Sequence, residues 1–486
     1  MTPAFVGLDI GTSSVKAGAF DASGKELSSF RMPVTTFESA DGAVEQSPGE
    51  WWQAAAKSLR EVAQQLAEKG WGIAVVGLSG QCPTLAWLNA NGDICRRAII
   101  YSDSRAEAET KRLGEIFGRR LIWDITGQQL SSFYMLPKIV RLNEQGTLSD
   151  NKGIKTVVQP RDFIGWKLTG RIATDPTHAA CTLLYDFLGH RWMTDWMNRL
   201  GIRSVCMPEV IPSGSVLGTL THDSSAITGV PAGTPVVIGA ADSICAVIGS
   251  GVDTPGVLCE VSGTSTCLHL LVRDVPTYAD INVYPHAEPR LLCLEVGLNT
   301  TGSVWSWTTK LLRLSEAEAE RLAMDPESFD EELFFVPHLG KAERDGSSSM
   351  GGMVGLHFWH QHGAIVRAMM EGITFALRTR LELMRKSRRI PRVVLCGPAS
   401  RNRIWNQMKA DIWAVPLTVP RVIDASVFGA ARLAARSVGE TLTLNGAGST
   451  EYVPAPECVA KYERKYRRYV QLMSSLEKWE GHLDVD

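Results

Sequence analysis

The chain has 486 residues, more than one hydrophobic core accommodates, so two or three domains are expected. With 44% hydrophobic and 21% charged residues the composition is that of a soluble globular protein, and a formal net charge of −2 leaves no global field to draw nucleic acid or an acidic membrane. Ten cysteines are scattered without a CxxC pair, and Cys245, Cys259, Cys267, Cys293 and Cys396 stand in apolar runs, which reads as buried thiols in a reducing compartment rather than a disulfide framework.

In chain order, VGLDIGTSSVKAGAF (6–20) predicts two strands, 4–10 and 15–20, around a Gly/Ser turn, and DASGKEL (21–27) turns into a further strand of a meander. No basic region precedes this apolar start and Asp9 interrupts it, so no signal peptide is expected. Residues 47–70 predict a helix with Pro48 near its start and Gly70 at its end, followed by a buried strand at 73–80. Residues 106–200 are mostly helical in pattern, with a Trp-rich helix at 191–200. A second buried strand, 233–242, ends in small residues and Asp242. The apolar region around 229–252 is broken by that acid and several glycines, so no transmembrane span is expected. GVLCEVSGTSTCLHLLV (256–272) repeats the opening logic of strand, hydroxyl turn and strand. Then come a helix at 362–386, a strand at 392–400, a helix at 401–414, a strand at 415–420, a helix of small residues at 425–439, and at 457–477 a packing helix on the surface, with Tyr462, Tyr466 and Tyr469 at helical spacing. Gly249, Gly251, Pro255 and Gly256 cluster at 249–256, which suggests two domains, 1–250 and 251–486.

Four stretches could carry chemistry. A turn of Gly11, Thr12 and Ser13, followed by Lys16, lets backbone N–H groups, hydroxyls and a cation approach phosphate, and Asp9 beside it suits a hydrated Mg²⁺. The structural alternative is a plain hairpin whose Asp9 bonds its own turn. Gly263, Thr264 and Ser265 form a second such turn. No GxxxxGK[ST] and no strand–GxGxxG–helix pattern occurs, so a nucleotide site here is neither a P-loop nor a Rossmann site. Asp242, at the carboxyl end of a buried strand, reads as a cleft-bordering base or as a helix N-cap. LCGPAS (395–400) offers a glycine turn on which a ring or ribose could lie. His357, His360 and His362 invite a metal, but no acid or cysteine stands near them in sequence, and half-exposed histidines entering a helix are expected.

The order DIGTSSVK (9–16), GLSGQ (77–81), YSDSR (101–105), GAAD (239–242), SGTST (262–266), CGPASRNRIWNQMKAD (396–411) and ASVFGAA (425–431) resembles the FGGY carbohydrate kinase family over about residues 4–470, with xylulokinase-like members nearest in motif. The resemblance implies an α/β fold of two actin-like, ribonuclease-H-like ATPase domains flanking a deep cleft. It implies an ATP-dependent kinase for a ketopentose or another sugar, polyol or sugar acid, with Mg²⁺. By position it assigns Asp9 to the metal and Gly11, Thr12, Ser13 and Lys16 to the first phosphate turn. Gly263, Thr264 and Ser265 match the second phosphate turn, Gly397, Ser400 and Asn402 the adenosine turn, with Asn406 on the adjoining helix. Asp242 matches the catalytic base at the sugar, and Gln81, Cys82 and Asp103 fall where the family contacts its sugar.

The charge balance, the scattered cysteines and the lack of a signal peptide or span lead us to expect a cytoplasmic protein with neither nucleic acid nor membrane as partner, and the family leads us to expect a homodimer. Three departures bear on specificity. Cys82-Pro83 replaces Met-His after the Gly-Gln step, Pro398 and Ala399 stand in a turn that is usually glycine-rich, and GKAERDG (340–346) replaces Gly-Glu-Arg-Thr-Pro. The first makes D-xylulose a modest substrate in expectation. The rival reading is a non-catalytic nucleotide switch of the actin/Hsp70 kind, against which Asp242 argues.

Overall fold

The structure is a computed structural model that describes residues 1–483 apart from 90–91, 95, 148–153, 277–280, 340–350, 387, 423 and 445–447. The elements that position the functional residues are, in chain order, β1 (Thr2–Ile10), β2 (Ser14–Phe20), β3 (Glu26–Pro33), α1 (Pro48–Glu68), β4 (Trp71–Gly80), β5 (Val216–Thr219), β6 (Pro235–Ala241), α2 (Asp242–Gly249), β7 (Leu258–Ser262), β8 (Thr266–Val272), β9 (Leu292–Leu298), α3 (Gly302–Leu312), α4 (His362–Arg385), β10 (Val393–Cys396), α5 (Arg403–Trp413), β11 (Leu417–Val419), α6 (Ala425–Ser437), β12 (Thr450–Tyr452) and α7 (Pro456–Leu483). Two compact units form. One holds Met1–Asp253 with Val272–Cys293 and Val422–Ala447; the other holds Thr254–Leu271, Leu294–Arg421 and Gly448–Asp486. The units therefore do not follow a single cut in the chain.

The first unit is built on a six-stranded sheet in the order β5-β6-β4-β1-β2-β3. β1, β2 and β3 form an antiparallel meander, while β1, β4 and β6 run parallel. Alternation along β1 decides its two faces. Val6, Leu8 and Ile10 join the core that receives Trp51, Leu59 and Val62 of α1. Phe5 joins a second cluster with Val427, Phe428 and Ala431 of α6. Gly7 and Gly77 are paired across β1 and β4, and both lie under α6. A Cβ on Gly7 would fall 1.9 Å from the Val427 carbonyl oxygen, and one on Gly77 would fall 2.1 Å from that of Ala430. The repeated apolar–Gly–apolar pattern of these strands is thus the imprint of a helix packed against bare backbone.

The second unit repeats the frame. β7 and β8 make an antiparallel hairpin, β7, β10 and β11 run parallel, and β12 closes the edge antiparallel to β11. Tyr462, Tyr466 and Tyr469 of α7 are all buried and pack around Phe375 of α4. The tyrosine stripe is the packing face of a helix whose other side is exposed, as expected. The Trp-rich stretch differs from expectation: Arg191–Trp192 pairs as a short strand with Tyr185–Asp186, and only Thr194–Arg199 is helical. No helix among the described residues is long and apolar enough to cross a membrane.

Candidate active site

In the first unit, β1, β4 and β6 end side by side at one edge of the sheet, and the groups singled out from sequence collect there. Asp9 stands opposite Lys16 on β2 and level with Ser79 on β4. Ser79 Oγ donates to Asp9 Oδ1 at 2.8 Å, and Ser426 Oγ, from the first turn of α6, donates to Oδ2 at 2.9 Å. Lys16 Nζ lies 4.0 Å from Asp9 Oδ2 and pairs with Asp424 at 2.8 Å. Burial pushes the Asp9 carboxyl above its usual range, against the pull of Lys16 and the two hydroxyls. A second cation beside it would be stabilised by this buried charge. The carboxylate offers about four lone-pair positions, so the two hydroxyl bonds leave acceptors that fit the water shell of Mg²⁺.

The Gly11–Ser14 turn is closed by Gly11 N–H donating to the Ser14 carbonyl at 3.1 Å. Thr12 Oγ1 donates to Gln81 Oε1 at 3.0 Å, and Gln81 Nε2 donates to Gln46 Oε1 at 2.8 Å. Gln46 Nε2 returns to the Thr12 carbonyl at 2.6 Å. The ring Thr12–Gln81–Gln46 ties the turn to the buried end of β4, while Ser13 stays exposed beside it. Gln81 is followed by Cys82, whose Sγ lies 3.3 Å from Cys181 Sγ.

Asp103, expected at the sugar, is held by bonds within the protein. Its buried carboxylate accepts from Val44 N–H at 2.9 Å, from Arg105 Nε at 2.9 Å and from an Arg105 terminal nitrogen at 2.6 Å. These bonds make it the anchor of Arg105, which also pairs with Glu45 at 2.8 Å.

Asp242 opens α2 directly after β6 and is half-buried. The strand arrives there through Gly239, at φ +53°, where a Cβ would fall 1.6 Å from the Leu78 carbonyl oxygen. Behind Asp242, Ala241 N–H donates to Thr177 Oγ1 at 2.8 Å, and Thr177 Oγ1 donates to Asp175 at 2.7 Å. Asp175 also takes Arg161 at 2.8 Å and Ser213 at 2.6 Å. Burial alone would raise the Asp175 carboxyl, but Arg161, His178 and Ser213 hold it well below the usual carboxylate range. Sequence reasoning missed this support, together with Gln46, Ser79, Asp424 and Ser426. Signals existed for two of them: Asp175-Pro176 is a helix start, and Ser426 lies inside ASVFGAA.

In the second unit, Gly263 N–H donates to the Ser265 carbonyl at 2.8 Å and closes a turn one residue tighter than the first. The N-terminus of α3 abuts it. Ser303 N–H donates to the Thr264 carbonyl at 3.1 Å, and a Cβ on Gly302 would fall 2.1 Å from the Gly263 carbonyl oxygen. Gly397, at φ +91°, passes under Ser262, whose carbonyl oxygen would lie 2.0 Å from an added Cβ. Ser400 Oγ donates to the Gly397 carbonyl at 2.7 Å, and Asn402 caps α5 by accepting from Trp405 N–H at 2.9 Å. Asn406 Nδ2 donates to the Ser400 carbonyl at 2.7 Å. Ser400 and Asn402 therefore shape the turn with their own side chains. Pro398 stands exposed within it. Of the histidines, His360 Nε2 meets Asp330 at 3.0 Å and His357 stacks on Trp359, so an acid does reach this cluster through the fold. The segment 340–346 lies outside the described residues.

Comparison with known proteins gives the same frame. The chain is 26% identical to the xylulose kinase of Bacillus subtilis (strain 168), covering 99% of this chain and 95% of that one. It is 26% identical to the L-xylulose/3-keto-L-gulonate kinase of Escherichia coli (strain K12), covering 99% of both. The crystal structure of gluconate kinase from Lactobacillus acidophilus shares the fold at a TM-score of 0.89, with 22% identity and 98% of each chain covered. Residues 4–249 match the N-terminal domain, and residues 259–438 the C-terminal domain, of the FGGY family of carbohydrate kinases. This chain belongs to that family, and its activity is that of an ATP-dependent sugar kinase.

Proposed function

We propose that the sugar phosphorylated is a ketopentose, and that Asp242 is the base that accepts the proton of the attacking hydroxyl. The observation that carries the reading is the convergence of Asp9, Gln81 and Asp242 on the ends of three adjacent parallel strands, the edge at which open α/β sheets bind ligands. Asp242, anchored through Ala241 to the Thr177–Asp175 network, is held in place to receive a proton. Gln81 presents an amide fixed by Thr12 and Gln46 to a sugar hydroxyl. Lys16 and the N–H groups of the Gly11–Ser14 and Gly263–Ser265 turns answer the charge of the phosphates, and the Gly397 turn receives the adenosine. Asp9 would hold Mg²⁺, which when bound would supply charge neutralisation on the phosphates. Positioning and electrostatics carry most of phosphoryl transfer, so the turns matter as much as the base.

The names of the two enzyme relatives support a ketose. The gluconate kinase of the same fold marks the competing class. Coupled ADP release with D-xylulose, L-xylulose, D-ribulose, erythritol and gluconate tests the reading. A ketopentose is expected to give the highest kcat/KM, and a higher value with gluconate or erythritol overturns it. Slow hydrolysis indifferent to every sugar points to the nucleotide switch. Pro83 has no side-chain donor and Cys82 only a weak one, so the double variant Cys82→Met/Pro83→His is expected to improve D-xylulose turnover.

A further inference from the structure

The sequence leaves one group of residues that sugar and nucleotide binding do not use: the cysteines of the second unit's apolar strands. Cys267 and His269 are two residues apart on β8 and so project to one face. Glu295 stands on β9, the neighbouring strand of the sheet. Their three donor atoms, a thiol sulfur, an imidazole nitrogen and a carboxylate oxygen, all lie within 4.8 Å of one another. The side chains are buried, with Cys267 7%, His269 0% and Glu295 3% exposed. His269 Nδ1 and Glu295 Oε2 are 3.6 Å apart.

We propose that Cys267, His269 and Glu295 form a buried site for a divalent transition metal, with zinc the ion their chemistry favours. They bring one thiol, one imidazole and one carboxylate donor together on one buried face of the sheet. A divalent cation favours the thiolate and the carboxylate and binds neutral imidazole. One sulfur, one nitrogen and one oxygen donor match borderline-soft zinc, not the all-oxygen shells of Mg²⁺ or Ca²⁺. Zinc bonds of about 2.0–2.3 Å place tetrahedral donors about 3.3–3.8 Å apart, so closure asks for side-chain shifts of about 1 Å. Cys259 faces His269 directly across the β7–β8 register and is the chain's own candidate for a fourth donor.

The site is distinct from Asp9 and its Mg²⁺ in ligand type and in compact unit. Its consequence is mechanical. β8 leads out of the Gly263–Ser265 turn, and a metal shared by β8 and β9 clamps the strand that carries it.

The test is the metal content of the full chain, purified without a histidine tag and desalted in metal-free buffer, measured by plasma mass spectrometry. One zinc per chain is expected, falling to background in Cys267→Ser and in His269→Gln. Because either variant could fold poorly, the wild-type protein prepared from cobalt-supplemented cells is read in parallel. A thiolate-to-cobalt charge-transfer band in the near ultraviolet is expected. Wild-type protein that holds no transition metal as purified, and takes up none when refolded with Zn²⁺ alone, overturns the proposal and leaves His269–Glu295 as a metal-free pair. Full zinc retention by a folded Cys267→Ser variant overturns the assignment of the ligands.

Discussion

The two hairpins, β1–β2 and β7–β8, carry the same Gly-Thr-Ser triplet and differ in the row behind it. In the first, the Ile10–Val15 pair closes the turn and Asp9 faces Lys16 one row back. In the second, the Ser262–Thr266 pair closes the turn and the row behind holds Val261 and Cys267. The first turn is tied to polar side chains, Gln81 and Gln46; the second is held by backbone against the start of α3. The triplet specifies a tight turn in both. The rows behind it differ: in the first hairpin the buried Asp9 faces Lys16 one row back, whereas in the second the buried carboxylate, Glu260, stands two rows back from the turn and is held by Lys409.

The largest effect that sharpens this contrast is expected at the end of the first unit's sheet. Asp242→Asn keeps shape and removes the proposed proton acceptor, so kcat should fall by about 10²–10⁴ with little change in ATP affinity. Steady-state kinetics with a saturating sugar reads it; a near-normal rate moves the base elsewhere. Asp9→Asn comes next. It removes the carboxylate proposed to hold the cation, and the Mg²⁺ concentration for half-maximal rate should rise about 10–100-fold. An equal loss of rate at every Mg²⁺ concentration would break the division of labour between the two hairpins.

Much of this was legible beforehand, for a physical reason. The strands around both turns are buried and bounded by glycine and hydroxyl residues, so period and punctuation marked them. Asp9 and Asp242 were visible because acids within or at the ends of apolar strands stand out, and Gln81 through the family resemblance alone. What the chain order could not show was contact made at long range. Ser426 reaches Asp9 across 417 positions, and α6 belongs to the first unit although it follows β11 of the second. Nothing local reveals that Arg105 folds back onto Asp103. The helical spacing of the α7 tyrosines marked a packing face, but not its partner, Phe375, which lies on another helix.

A glycine pair separates the two turns at a smaller scale. Gly302→Ala drives a Cβ to 2.1 Å from the Gly263 carbonyl oxygen, whereas Gly11→Ala meets its nearest atom, the Ser14 carbonyl oxygen, at 3.2 Å. Backbone that must shift costs about 1–3 kcal/mol, so Gly302→Ala should lower the melting temperature and raise the KM for ATP. Gly11→Ala should be the milder change in both. Melting curves beside ATP titrations decide, and equal effects would mean that the second turn yields as readily as the first.

The smallest expected effect belongs to Thr12→Val, and it asks what the Gln81 link does. The substitution removes the hydroxyl that donates to Gln81 Oε1 and leaves that buried oxygen without this donor. The cost is about 1–3 kcal/mol where nothing replaces the bond. Were Thr12 only a phosphate ligand, ATP binding alone would weaken. The structure adds a second route, because Gln81 is also fixed by Gln46 and stands at the proposed sugar contact. Calorimetric titration is therefore expected to show weaker sugar binding as well as weaker ATP binding. Gln46→Leu, which cuts the same ring away from the turn's hydroxyls, should reproduce the sugar defect. A Thr12→Val protein that binds sugar normally would separate the turn from the sugar side and make the ring a purely structural tie.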